Sequence, residues 1–164
     1  MSEDPKSAEG QARRLENVNL QLAALLRRPE VAQRLRAAGP DEWSSVQILG
    51  HMVEFINYWM ASARALAAAT GEPPHFGRSV DAPERLAAVE HGAASDLKTL
   101  LGELDRAVTA AARDIRALTP AERARTGIHN RLGEITVSDA IEELVVGHVE
   151  AHLAQAQQVL GPAG

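Results

Sequence analysis

The sequence predicts an all-α protein, and three observations support this prediction. Apolar residues make up 45% of the chain but aromatic residues only 3%, and alanine and leucine, which favour helices, dominate the apolar set. Four segments repeat apolar residues at the three- and four-residue spacing of an amphipathic helix. No segment alternates apolar and polar residues as a half-buried strand does. We therefore expect a single four-helix-bundle domain over residues 1–164, with residues 1–8 and 162–164 frayed.

The first predicted helix covers residues 8–28, and Pro29 ends it because proline has no N–H to donate. A short helical piece follows and stops at Gly39-Pro40. The second helix begins after Ser44, which forms a capping box with Gln47, and continues to about residue 69. The stripe of the first helix contains Leu15, Val18, Leu22, Leu25 and Leu26.

The third predicted helix runs without a break from its N-cap, Asp81, to Leu118. The next segment, "TPAERA", has Thr119 as a cap and predicts one short turn of helix. The last helix begins at Thr136, with an acidic residue three positions later, and ends at Gly161-Pro162. A proline-rich loop, residues 70–81, separates the second helix from the third.

Charge and composition exclude several classes of protein. The net charge of −5 lacks the basic face that nucleic-acid binding requires. The chain has no cysteine, so disulfides and thiolate metal ligands are excluded. No apolar run is long enough to span a bilayer, and the first residues lack the apolar core of a secretory signal. We expect a cytoplasmic protein without a nucleic-acid or membrane partner.

Two histidines occupy apolar positions of the last helix. His148 and His152 are four residues apart, so their side chains lie on one face of the helix. His51, at the edge of the apolar stripe of the second helix, is the best candidate for a third ligand of a shared divalent metal. Three imidazoles would leave coordination positions open for water or substrate, as in catalytic sites. The residues alone leave the alternative open that these are hydrogen-bonded core histidines.

The stretch "HVEAH" differs from the HExxH motif of zinc proteases. Its acidic residue, Glu150, is two positions after His148, about 200° around the helix, and therefore points away from the histidine pair. A deaminase-type zinc site is also excluded, because it needs cysteine ligands.

Two stretches resemble the DinB/YfiT-like superfamily of metal-binding four-helix bundles. They are "DEWSSVQILGHMVEFINYW", which holds Trp43, Ser44 and His51, and "GEITVSDAIEELVVGHVEAHLAQAQQVL", which holds the histidine pair. The resemblance implies an up-down-down-up bundle with a long crossover between the second and third helices. It also implies a divalent metal (zinc, nickel or iron) on His51, His148 and His152.

Characterised members of that superfamily include enzymes that depend on a small thiol. The resemblance therefore implies a metal-dependent transferase or isomerase that acts on a small molecule, with an external thiol as a further cofactor. Two alternatives remain: a non-enzymatic, stress-related metal-binding bundle, and a helical dimerisation module that pairs as a homodimer through apolar helix faces.

The remaining histidines differ in their expected roles. His129 lies in the loop before the last helix, where it could relay protons or contact substrate, and Arg125 and Arg131 on either side of it would suit an anionic substrate. His75 and His91 are expected at the surface.

Overall fold

The computed structural model describes residues 3–161 and confirms the predicted four-helix bundle. Fraying was predicted for residues 1–8 and 162–164, and of these, residues 1–2 and 162–164 lie outside the described range. The helices are α1 (Ala8–Leu26), α2 (Ser45–Ala68), α3 (Pro83–Ala94), α4 (Leu97–Ala117), α5 (Pro120–Ala124), α6 (Val137–Ile141) and α7 (Gly147–Leu160). A 3-10 helix, Pro29–Arg34, follows α1, and one π-helical turn, Glu142–Val146, joins α6 to α7. The strands are β1 (His75–Phe76), β2 (Thr126–His129) and β3 (Gly133–Thr136).

Polar contacts between helices fix their directions. Asn19 in the second half of α1 donates to Asp105 in the first half of α4 at 2.9 Å, whereas Glu9 at the start of α1 pairs with Arg116 at the end of α4 at 2.7 Å. These two contacts show that α1 and α4 are antiparallel.

Two other pairs of helices, α2 with α4 and α1 with α7, are parallel. Arg64 and Asp114, both late in their helices, lie 3.6 Å apart and show that α2 and α4 run in the same direction. At the start of α1, Gln11 donates to the carbonyl of Ser138 in α6 at 3.2 Å. Just after the end of α1, Arg28 donates to the carbonyl of Gly161, which follows α7. The bundle is therefore up-down-down-up, with α6, the π turn and α7 as its fourth member.

The crossover between α2 and α3 returns along α2 to the beginning of that helix. Arg78 in this crossover pairs with Glu54 on α2, and Arg85 in the first turns of α3 lies over the ring of Trp43, 5.0 Å from its centroid. An extended crossover of this kind was predicted, and it brings residues from the third helical segment to the N-terminal part of α2.

A small three-stranded sheet, which the sequence pattern did not predict, packs against α2. β1 pairs with β2 in parallel, and β2 pairs with β3 as an antiparallel hairpin. Gly133 closes that hairpin with a φ of 76°, which favours glycine. The strands have only two to four residues, too few to show an alternating pattern in the sequence.

The predicted continuous third helix is wrong in two respects. The structure interrupts it between Ala94 and Leu97, and Asp96 caps the second piece by accepting from the backbone N–H of Thr99 at 2.7 Å. The predicted N-cap Asp81 is also replaced by Ala82, which makes no side-chain capping bond. An aspartate that caps α4 is incompatible with an unbroken helix, because an N-cap residue has non-helical dihedral angles.

Alanine, leucine and valine side chains from all four bundle members form the core, as predicted from the apolar stripes. α2 and α3 approach closely at two glycines: a Cβ on Gly50 would lie 2.3 Å from the carbonyl oxygen of Ala88, and one on Gly92 would lie 2.3 Å from that of Val46. This close packing fixes the turn of α2 that carries His51. Within residues 3–161, every helix is too short or too polar to cross a membrane.

Candidate metal centre

The three predicted histidines meet at one point in the bundle. His51 on α2 lies opposite His148 and His152 on α7, with ring centroids 5.5 Å and 5.3 Å away, and the pair on α7 are 4.9 Å apart. One ring nitrogen from each residue lies within 4.8 Å of the other two. This arrangement could hold a metal ion, and nearly one hundred residues separate its two halves in the sequence.

The start of α2 fixes His51 in place. Ser44 and Gln47 form the predicted capping box, in which each side chain bonds the other residue's backbone N–H. The His51 ring is buried, with 3% of its residue surface exposed, between the edge of Trp43 and the ring of Phe55, each at 5.0 Å. Its ring is therefore held by packing, which leaves its nitrogens available to a ligand.

The rings of the α7 pair are oriented through their side-chain neighbours. His152 Nδ1 lies 3.1 Å from Gln155 Oε1, so it donates to that oxygen and presents Nε2 to the centre. The His148 ring stacks on Phe55 with centroids 3.9 Å apart. An outer hydrogen bond such as that of Gln155 fixes the tautomer of a metal-binding histidine.

The π turn before α7 has a local consequence for the site. The N–H of Gly147 bonds the carbonyl of Glu142, five residues earlier, which is the π pattern. In an α-helix, Glu143 and His148 would lie about 140° apart. The π pattern brings residues five apart close to one face, and both line the same cavity. π turns of this kind often occur at functional sites.

The imidazoles are neutral near pH 7. Burial, together with the positive charge that neighbouring His152 would carry, lowers the pKa of His51 to about 3. Burial likewise lowers the pKa of His148 to about 4, and it lowers that of His152. Arg85 contributes to all three shifts through its charge. Neutral imidazole is the form that binds a metal, so no proton has to leave at neutral pH.

These residues also fit a metal by their unmet hydrogen-bonding capacity. His51 Nδ1 and His152 Nε2 are buried and have no hydrogen-bond partner within residues 3–161. Buried polar atoms in native proteins almost always have partners. Three nitrogen donors beside an open cavity would leave coordination positions of a bound ion open, unlike the four protein ligands of a closed structural site.

A cavity of about 660 Å³ opens beside the histidines. The crossover, the β2–β3 hairpin and the two histidine helices form its walls. Its polar lining residues are His51, Arg78, Ser79, Arg85, His129, Asn130, Arg131, Glu143 and His148. The volume lies in the range of small-molecule sites.

Three cavity residues, Arg78, Arg85 and Glu143, were not predicted from the sequence. The crossover and the π turn bring them there, and neither has a periodic signal in the sequence. Arg78 stacks on Tyr58, with its guanidinium 3.8 Å from the ring centroid, and is neutralised by Glu54. Its role is therefore to fix the crossover against α2.

His129 lies in the cavity wall, apart from the three metal-site histidines. Its Nδ1 accepts hydrogen bonds from the backbone N–H groups of Arg131 and Leu132, at 3.1 Å and 3.0 Å. Burial, together with the charge of Arg131, lowers its pKa. The ring is therefore neutral and carries its proton on Nε2, which is buried without a partner among the described residues. His129 was predicted as a possible proton relay. To accept a proton on Nδ1, its ring would first have to lose both hydrogen bonds from the backbone N–H groups.

Of the other residues that the sequence pointed to, only Arg131 lines the cavity. Arg125 donates to the carbonyl of Ala67 and does not line the cavity, whereas Arg131 does. His75 and His91 are exposed, as predicted, and His91 pairs with Glu103 at 3.0 Å.

Comparisons with known proteins agree with this architecture. A family model described as the DinB superfamily matches residues 14–156. Among solved structures, YfiT from Bacillus subtilis, described as a probable metal-dependent hydrolase with an unusual four-helix bundle topology, matches with a TM-score of 0.74. It is 19% identical, and the match covers 99% of this chain and 92% of that one, which is a likeness of fold. A search of curated proteins found no match.

Proposed function

The chain belongs to the DinB superfamily, and we propose that it is a metal-dependent enzyme that acts on a small molecule in the cavity beside His51, His148 and His152. The preferred reaction is either the transfer of a group from the substrate to an external small thiol, or the isomerisation of the substrate with that thiol as a cofactor. The observation that carries the proposal is the convergence of three neutral imidazoles, of which two, His51 and His148, line an open cavity.

The three imidazoles would hold the ion, which could be zinc, nickel or iron because imidazole suits each of them. When bound, a divalent ion lowers the pKa of a water or thiol beside it. The chain's own residues would orient the metal ligands and accept a proton. Gln155 orients His152 by a hydrogen bond and Phe55 orients His148 by stacking. The carboxylate of Glu143 is available in the cavity to accept the proton that the nucleophile loses.

The source of the nucleophile distinguishes two reactions. Because the chain has no cysteine, a thiol must come from outside, and a cavity of about 660 Å³ has room for a small thiol together with a second substrate. Hydrolysis, in which water attacks, is the second candidate, and the description of the B. subtilis neighbour favours it.

A spectroscopic experiment separates these candidates. The untagged protein, loaded with cobalt(II), is mixed with N-acetylcysteine or with its S-methyl analogue. A new near-ultraviolet charge-transfer band with the thiol alone supports thiol chemistry. If neither compound changes the spectrum but the metal-loaded protein hydrolyses activated esters, hydrolysis is supported.

Both non-enzymatic alternatives predict different results. A metal-binding bundle without activity would bind the ion but show neither the thiol band nor turnover. A dimerisation module would bind no ion, and His148→Gln would then leave its metal content at background. Loss of all metal binding would therefore refute the proposed enzyme.

A further inference from the structure

We propose that the cavity recognises an anionic group of its substrate, a carboxylate or a phosphate, through Arg85 and Arg131, with His129 Nε2–H as a third donor. This inference deepens the proposed function and rests on it for the identification of the anion as part of a substrate. The binding of the anion itself requires no metal.

Arg85 and Arg131 both line the cavity, and neither forms an ion pair with any residue in the described range 3–161. Arg85 lies over Trp43, whose edge contacts His51, so a single aromatic ring separates its guanidinium from the metal-site histidine. One N–H of that guanidinium bonds the Val80 carbonyl, which fixes its position and leaves further donors for a ligand.

Arg131 lines the same cavity from the β2–β3 hairpin. It lies at the tip of the β2–β3 hairpin, is exposed, and acts with Arg85 on the pKa of His148 through its charge. Guanidinium groups bind carboxylates and phosphates with paired hydrogen bonds. A small anion between these arginines would lie next to the histidine cluster.

His129 independently supports an anion in the cavity. The residue is 5% exposed. Because its Nδ1 accepts two backbone hydrogen bonds, Nε2–H is a buried donor without an acceptor in the described chain. An unmet buried donor costs free energy, and an acceptor oxygen of a ligand would satisfy it. His129 thus acts as a neutral hydrogen-bond donor, of the type that stabilises developing negative charge.

The charges around the cavity favour an anion over a cation. The guanidinium of Arg78 is neutralised by the carboxylate of Glu54 and lies 3.6 Å from that of Glu84. Glu143 is the carboxylate that lines the same cavity, and it is exposed. Two unpaired guanidinium groups therefore face one carboxylate, which leaves an excess of positive charge for a ligand.

Tryptophan fluorescence tests this proposal in metal-free protein. The chain's two tryptophans, Trp43 and Trp59, lie beside Arg85 and His129. Inorganic phosphate, succinate and the neutral succinamide are titrated in turn. We expect saturable changes with at least one of the two anions and none with succinamide, and the anion that binds identifies the phosphate or carboxylate class.

Substitutions localise the binding. Arg85→Gln and Arg131→Gln should each weaken it about tenfold or more, because each removes a charged hydrogen bond. Arg27→Gln removes the same charge from an exposed site on the far end of α1 and should change nothing. His129→Phe should weaken binding, and His129→Gln, which keeps an N–H donor, should restore part of it. Thermal unfolding confirms that each variant folds, and Arg131, being exposed, provides a test that does not depend on Arg85.

The proposal is overturned if succinamide binds as well as succinate, if neither anion binds, or if Arg27→Gln weakens binding as much as the cavity variants. These outcomes differ from failure of the proposed function. If the anions bind but zinc does not, the metal-dependent reaction fails and the anion site stands.

Discussion

Acid should destabilise the metal-free protein through its buried histidines, and His51→Gln should remove part of that effect. The pKa of His51 is about 3 in the folded protein, against about 6.5 in an unfolded chain. Between these values the unfolded state binds a proton that the folded state does not bind. The free energy of unfolding therefore decreases as pH falls below about 6.5, and it continues to decrease until pH reaches the folded pKa.

The size of this effect follows from the two pKa values. Between pH 7 and pH 5, His51 should lower the free energy of unfolding by about 2 kcal/mol. His148, with a folded pKa of about 4, should lower it by a similar amount, about 2 kcal/mol. Urea denaturation of the metal-free protein at both pH values measures the total. His51→Gln should reduce the difference between pH 7 and pH 5 by about 2 kcal/mol.

The comparison between the two pH values cancels any constant cost of the substitution. His75→Gln removes an exposed imidazole and serves as the matched control, with the same pH dependence as the wild type. If His51→Gln retains the full wild-type pH dependence, the His51 ring is protonated in the folded state and the burial argument is wrong.

Two further predictions concern the support around the site. Gln155→Ala should weaken zinc binding about 10- to 100-fold in a chelator competition, because it removes the outer hydrogen bond to a ligand; Gln158→Ala, at an exposed position of the same helix, should not. Gly50→Ala should lower stability by about 1–3 kcal/mol, because its Cβ would meet the Ala88 carbonyl oxygen at 2.3 Å. In thermal unfolding, Gly102→Ala, whose Cβ meets only a flexible side chain at 3.5 Å, should be neutral or stabilising, and equal losses for both glycines would contradict the packing argument.

The elements that were predicted correctly have strong local signals. Capping boxes begin α2 and α5, and the apolar stripes of α1 and α4 are buried as the spacing indicates. The histidine pair of α7 was also visible, because a four-residue spacing places two side chains on one helical face whatever the rest of the chain does.

The features that were missed depend on contacts between distant parts of the chain. The break before Asp96 has a local signal, its capping side chain, but the apolar pattern continues on both sides of it. The π turn shows no pattern in the sequence, and it brings Glu143 into the cavity. Arg85 reaches the site only because the crossover returns along α2, a path that tertiary packing determines.

Calorimetric titration of metal-free, untagged protein with zinc at neutral pH tests the central claim most directly. We expect one zinc per chain in the wild type, and at least a hundredfold weaker binding in each of His51→Gln, His148→Gln and His152→Gln, since each removes one of three ligands. Wild-type affinity in His51→Gln would contradict the account, because it would show that the ring from α2 does not share an ion with the pair on α7.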